Sequence, residues 1–173
     1  MVLTKEETAI FACGCFWGVE YAFSQLKGIS KVTSGYCGCK SSCITPSYQQ
    51  VCNGTTGCAE SVEFIFDPSK ISYETLVQFF FSIHNSTTQN RQGPDIGSQY
   101  RSEIFYLSLE QKKIAEQILK EHQKELNKKI VTKITKATPF YKADEYHQKY
   151  VEKHGKFSCH IPTMSRFLKD NTS

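Results

Sequence analysis

The chain has 173 residues, of which 39% are hydrophobic and 22% charged, and it carries a formal net charge of +4. That size fits one domain with a buried core, and no apolar run approaches the ~20 residues needed to cross a bilayer, which excludes disordered and helical membrane classes. The lysines between positions 112 and 136 are spread among glutamates and are not interleaved with aromatics, so they read as a solvated face and not as a nucleic-acid surface.

In chain order, Met1-Val2-Leu3-Thr4-Lys5-Glu6-Glu7 places acidic residues where a secretory signal needs an apolar stretch, so an intracellular, cytoplasmic protein is expected. Residues 8–12 read as a short apolar strand. It gives way after Cys15 to a helical pattern in which Val19, Ala22, Phe23 and Leu26 share one face. Residues 30–36 alternate as a strand and complete a first βαβ unit. A loop rich in Gly, Cys, Ser and Pro runs to Gly57, after which Val62, Phe64 and Phe66 mark one face of a strand over 60–66 that ends at Asp67-Pro68. Ser72 is placed to cap a helix bearing Leu76, Val77, Phe80 and Ile83, and a second long loop, 84–101, leads to a strand over 103–107. Ser108 and Gln111 have the spacing of a capping box for a long amphipathic helix bearing Ala115, Ile118, Leu119, His122 and Leu126, followed by a strand near 130–135. Two βαβ units joined by long loops predict an α+β two-layer sandwich, a mixed sheet with packed helices of the split βαβ, ferredoxin-like kind. The expected organisation is a single catalytic domain over 1–173 with a C-terminal tail from about 151.

Cys15 follows a strand and opens a helix. There the free backbone N–H groups and the positive end of the macrodipole favour a thiolate, the form a nucleophilic or redox cysteine needs. Phe16 and Trp17, the latter the only tryptophan, would line its mouth and suit an uncharged group such as a methyl or thioether. Eight cysteines are many for a reducing compartment, where structural disulfides rarely persist, so catalysis, a redox relay and metal binding all have to be considered.

Three further segments stand out: Thr45 to Glu60 with Tyr48-Gln49-Gln50-Val51-Cys52, Asn90 to Ser102 with Gly93-Pro94-Asp95-Ile96-Gly97-Ser98-Gln99-Tyr100, and Tyr141 to Tyr150. Together with Gly14-Cys15-Phe16-Trp17-Gly18, they resemble the type A methionine sulfoxide reductase family, over a span from about Ala9 to about Gly155. The resemblance implies attack of the Cys15 thiolate on a methionine sulfoxide sulfur, giving methionine and a cysteine sulfenic acid. It implies the S epimer, free or in proteins. A sulfoxide oxygen leaves only if protonated or strongly hydrogen-bonded, and Glu60 matches the family's acid. Tyr48 and Tyr100 match its two phenols, donors to the developing charge on that oxygen, and Asp95 its second carboxylate. Phe16 and Trp17 match the cage for the S-methyl group. The sulfenic acid is then resolved by a second thiol, with Cys159 in the C-terminal tail as the leading choice, and the disulfide is reopened by thioredoxin or another dithiol. No cofactor and no metal are assigned, and the protein is expected to act as a monomer without nucleic acid or membrane.

Several positions depart from the family pattern. Cys37, Cys39, Cys43 and Cys58 stand where small residues and a histidine are usual, and they leave open a second relay or a four-thiolate metal site, although Cys-x-Cys-x3-Cys is not a defined zinc knuckle. His84-Asn85-Ser86-Thr87 replaces His-Asp-Pro-Thr and puts local hydrogen bonds in question. Cys13 lies too near Cys15 for an easy disulfide, Cys52 reads as a buried structural thiol, and His122, His147, His154 and His160 as packing or surface residues. Two other readings compete: a general thiol-disulfide or peroxide-reducing protein, which would leave Glu60, Tyr48 and Tyr100 without a task, and a zinc-binding interaction module built on the 37–58 cysteines.

Overall fold

Period-two patterning builds the centre of the sheet. In β1 (Glu7–Cys13) and β3 (Ala59–Phe66) successive side chains point to opposite faces, and antiparallel pairing of Phe11 with Val62 and of Ala9 with Phe64 gathers the apolar ones on one side. β1 also pairs antiparallel with β6 (Ser102–Tyr106), and β3 with β2 (Ile29–Cys37). β7 (Lys133–Lys136) runs parallel to β6 and β8 (Tyr141–Lys142) antiparallel to β2, giving a six-stranded mixed sheet in the order β7-β6-β1-β3-β2-β8. This computed structural model describes residues 5–155.

Three helices, α1 (Phe16–Ser24), α3 (Tyr73–Ser82) and α4 (Leu109–Glu125), contribute to one apolar core over the sheet. Phe11, Phe23, Phe64, Leu76, Phe79 and Phe80 are fully buried there, each contributing about 1.5–3 kcal/mol relative to an exposed side chain. The opposite face carries Ile10, Ala12, Cys37, Ala59 and Phe105, covered by Ala137 and Phe140. Gly35 permits that cover: a Cβ there would lie 2.4 Å from both the Phe140 ring and the Tyr141 carbonyl. The α+β two-layer architecture is therefore the expected one.

Local signals explain most helix starts. Ser72 Oγ accepts from Thr75 N at 3.1 Å and Ser108 Oγ from Gln111 N at 3.1 Å. Gln111 does not complete the expected capping box. Its side chain accepts from Leu107 N at 3.0 Å and donates to Thr8 O at 2.9 Å, tying α4 to β1. A full capping box forms instead at α2 (Tyr48–Cys52), a helix too short for periodicity to show, where Ser47 and Gln50 bond reciprocally. The last long strand starts later than expected because Ile130 N donates to Gln123 Oε1 and Val131 N to Ser86 O, which anchors these residues to the loops and not to β6. α5 (Tyr150–His154) packs on α1, with Lys149 N donating to Glu20 Oε2 at 2.8 Å. Among the described residues, no helix is long and apolar enough to cross a membrane.

Candidate active site

The C-terminal ends of β1 and β2 meet the N-terminal ends of β3 and β6 at one end of the sheet. Gly14, at φ +106°, turns the chain from β1 into α1, and a Cβ there would lie 2.9 Å from Gln92 Cγ. Only glycine allows both the turn and this close approach of the second long loop. Cys15 takes the N-cap position of α1, half-buried, with no side-chain cap bond. Cys15 thus stands at the positive end of the helix. The next amide, Phe16 N, donates to Glu60 Oε2 at 3.0 Å. Glu60 is only 1% exposed and lies opposite Tyr36 in the β2–β3 ladder. The carboxyl and the cysteine are thereby brought to the same helix start, although 44 residues separate Phe16 from Glu60.

Three phenols surround the carboxyl. Tyr48 lies in the first turn of α2 and Tyr100 in a 3₁₀ turn (Ser98–Tyr100) leading into β6. Burial, and after it the charge of Glu60, holds the phenols of Tyr48, Tyr100 and Tyr36 well above the ordinary tyrosine value, so each keeps its proton for donation at neutral pH. Tyr36 was not singled out in the sequence; its alternation on β2 opposite Glu60 was the available signal. Asp95 sits on a two-stranded ribbon of β4 (Arg91–Gln92) and β5 (Asp95–Ile96), turned by Gly93-Pro94, and its charge also acts on Tyr100, as does that of Cys15. Tyr48 shares a side-chain hydrogen bond with Cys52 one helical turn away. Cys52 is exposed, which corrects the buried reading: Val51 takes the inward position of this short helix and the next residue faces out.

The aromatic residues after Cys15 divide in two. Phe16 is 1% exposed and packs against Tyr36, Tyr48 and His147, while Trp17 is half-buried. The indole stacks on Tyr150 at 3.7 Å and 7°, and its Nε1 donates to His147 Nδ1 at 3.1 Å. That acceptor role leaves the His147 proton on Nε2, and burial keeps the ring below the ordinary histidine value. His147 is a packing residue, as expected, but the ring it packs is the site's own wall, 4.3 Å from Tyr48. Its place in the recognised 141–150 segment was the sequence signal.

The remaining departures resolve locally. Asn85 Oδ1 accepts from Thr87 N at 3.0 Å and from Thr87 Oγ1 at 2.7 Å, so the asparagine supplies its own turn. His84 is half-buried, desolvation of its ring pushes it down to about 4, and it bonds Phe80 O and Ser102 Oγ, each at 2.7 Å. Cys13 is buried, with its thiol pushed up by burial. Cys37 does not join the other three loop cysteines: its Sγ contacts Thr138 O at 3.5 Å under the opposite face of the sheet. Cys39 and Cys58 form a disulfide, and Cys43 lies beside them. Cys159 and His160 lie outside the described residues.

Comparison with known proteins agrees with this arrangement. The sequence profile of the family described as peptide methionine sulfoxide reductase matches residues 7–172. The peptide methionine sulfoxide reductase MsrA of Nitratiruptor sp. is 49% identical over 148 residues, covering 86% of this chain and 84% of that protein. The reduced form of Mxr1 from Saccharomyces cerevisiae superposes with a TM-score of 0.87 at 36% identity, covering 93% of each chain. Mxr1 in complex with Trx2 gives 0.59 at 26% identity over 86% of each. With the profile spanning nearly its whole length, the chain belongs to the peptide methionine sulfoxide reductase family.

Proposed function

We propose that Cys15 is the nucleophile of a methionine-S-sulfoxide reductase, with Glu60 as its acid, Tyr48 and Tyr100 as donors to the sulfoxide oxygen, Asp95 orienting Tyr100, and Phe16 and Trp17 as the walls around the S-methyl group. The Cys15 sulfur attacks the sulfoxide sulfur. A sulfur–sulfur bond forms while Glu60 gives its proton to the sulfoxide oxygen; the hydroxyl then passes from the methionine sulfur to the Cys15 sulfur as the sulfur–sulfur bond breaks, which leaves methionine and the Cys15 sulfenic acid. The proton lost from the Cys15 thiol returns Glu60 to its neutral form, so the step balances. The two phenols, held protonated by burial, stabilise the charge that builds on oxygen. Cys159 then attacks the sulfenic sulfur, releasing water and closing a disulfide, which a dithiol such as thioredoxin reopens with two electrons.

The observation that carries this reading is the bond from Phe16 N to Glu60 Oε2, which sets a carboxyl and a cysteine on one helix start. The partnership of Mxr1 with Trx2 supports thioredoxin as reductant. We read 1–173 as one catalytic domain working in the cytoplasm, a setting that suits the thiols of Cys13, Cys37, Cys43 and Cys52. The test is reduction of the separate S and R epimers of methionine sulfoxide by dithiothreitol with the parent protein and Cys15→Ser. Turnover of the S epimer alone, lost in the variant, is the expected result; equal turnover of both epimers, or activity surviving in Cys15→Ser, overturns it.

A further inference from the structure

We infer that the sulfurs of Cys39, Cys43 and Cys58 form a binding site for one thiophilic divalent cation of the zinc type, open when the Cys39–Cys58 disulfide is reduced and closed when it is formed. All three sulfurs lie within 4.8 Å of one another. A zinc ion with bonds of about 2.3 Å to tetrahedrally disposed thiolates needs sulfurs roughly 3.8 Å apart, so the Cys39 and Cys58 sulfurs, bonded to each other here, have to part by side-chain rotation once the disulfide is opened. Three thiolates leave a fourth position for water.

The backbone around the sulfurs is already fixed by bonds that do not involve them. Lys40 N donates to Thr56 O at 2.9 Å and Cys43 N to Lys40 O at 2.9 Å, which joins the Cys39–Cys43 segment to the approach to β3. Cys58 N donates to Thr56 Oγ1 at 3.2 Å, and Tyr141 Oη donates to Cys43 O at 3.5 Å. Cys58 is buried, whereas Cys39 and Cys43 are half-buried, so an ion has both a walled seat and an entry path. Charge fits as well. Zinc with three thiolates carries one negative charge, and Lys40, between two of the ligands, brings one positive charge in the same loop.

The site is separate from the reacting centre but borders it. Cys58 lies two residues before Glu60, and Cys43 precedes the helix that carries Tyr48. An ion, like the disulfide, would clamp the loop bearing the phenol to the strand bearing the acid. The two states exclude each other because the disulfide removes two of the three donors. Opening it takes two electrons and two protons from an external dithiol; zinc then displaces the thiol protons into solvent.

The test is an oxygen-free zinc titration of the reduced full chain against a chromophoric chelator, run in a Cys15→Ser background so that the nucleophile cannot contribute. One zinc per chain is expected, unchanged by Cys37→Ser, and weakened on the order of a hundredfold by Cys43→Ser. Cys43→His, which keeps a ligand atom, should restore most of the affinity, and circular dichroism verifies that each variant is folded. Protein whose Cys39–Cys58 bond is closed, as verified by peptide mapping, should take up none. Failure of the reduced chain to bind stoichiometric zinc, equal binding by Cys43→Ser, or equal binding by the disulfide form overturns the inference.

Discussion

Phe16 N donates to Glu60 Oε2 at 3.0 Å, so the first amide after the candidate nucleophile holds the candidate acid. Glutamine at position 60 can keep this acceptor but has no proton to give. Glu60→Gln should therefore lower kcat on the order of 10²- to 10⁴-fold while the unfolding temperature stays close to that of the parent. Glu60→Ala leaves the amide unpaired in a buried place and should also cost about 1–3 kcal/mol of stability. Steady-state kinetics and thermal unfolding on both variants separate the two roles; equal activity in Glu60→Gln and the parent would remove Glu60 as the acid.

Tyr48 and Tyr100 both keep their protons because burial resists ionisation. Tyr48→Phe and Tyr100→Phe should each lower kcat by about 10²-fold with smaller changes in KM, since the bonds strengthen as charge develops on oxygen. A drop confined to KM would instead make them ground-state binding groups.

Trp17 stacks on Tyr150 and donates to His147. Trp17→Phe keeps a ring and loses the donor, so KM should rise several-fold, with about 0.5–1.5 kcal/mol lost from the stability of the wall. Because Trp17 is the only tryptophan, its emission in Cys15→Ser should shift on titration with methionine sulfoxide; no change with the sulfoxide would place the substrate elsewhere.

Two desolvated groups, Glu20 and His84, set opposite limits on stability. Burial pushes the Glu20 carboxyl up from 4.5 to about 7, so its contribution is complete below 4.5 and is lost as pH rises through 7. Burial pushes His84 down from 6.5 to about 4, so its contribution is complete above 6.5 and is lost as pH falls through 4. Glu20→Gln keeps the acceptor for Lys149 N and should raise the unfolding temperature at pH 8 on the order of 5 °C, with little change at pH 4. An equal shift at both pH values would mean that titration of Glu20 is not the cause.

If Cys159 resolves the sulfenic acid, Cys159→Ser should still release one methionine per chain in a single turnover but stop there when thioredoxin is the reductant. Cys52→Ser should continue to cycle. Methionine counted per chain distinguishes the two, and continued cycling of Cys159→Ser with thioredoxin would move the resolving role to another thiol.

Features that depend on near neighbours were legible in the amino-acid sequence. Alternation at Val62, Phe64 and Phe66 marked the core face of β3, Ser72 and Ser108 marked helix starts, and Gly14-Cys15 marked the strand-to-helix turn, because each of these rests on periods or spacings of a few residues. The motif order also carried the family. Tertiary structure alone decided which distant groups meet. Gln111 had the spacing of a cap but bonds Thr8 across 103 residues; Trp17 finds His147 across 130; Cys37 leaves the loop cysteines for Thr138 while Cys39, Cys43 and Cys58 gather. Each of these outcomes follows from how buried polar groups and thiols find partners once the sheet is folded. Such choices depend on the path of the whole chain and leave no trace in any local period.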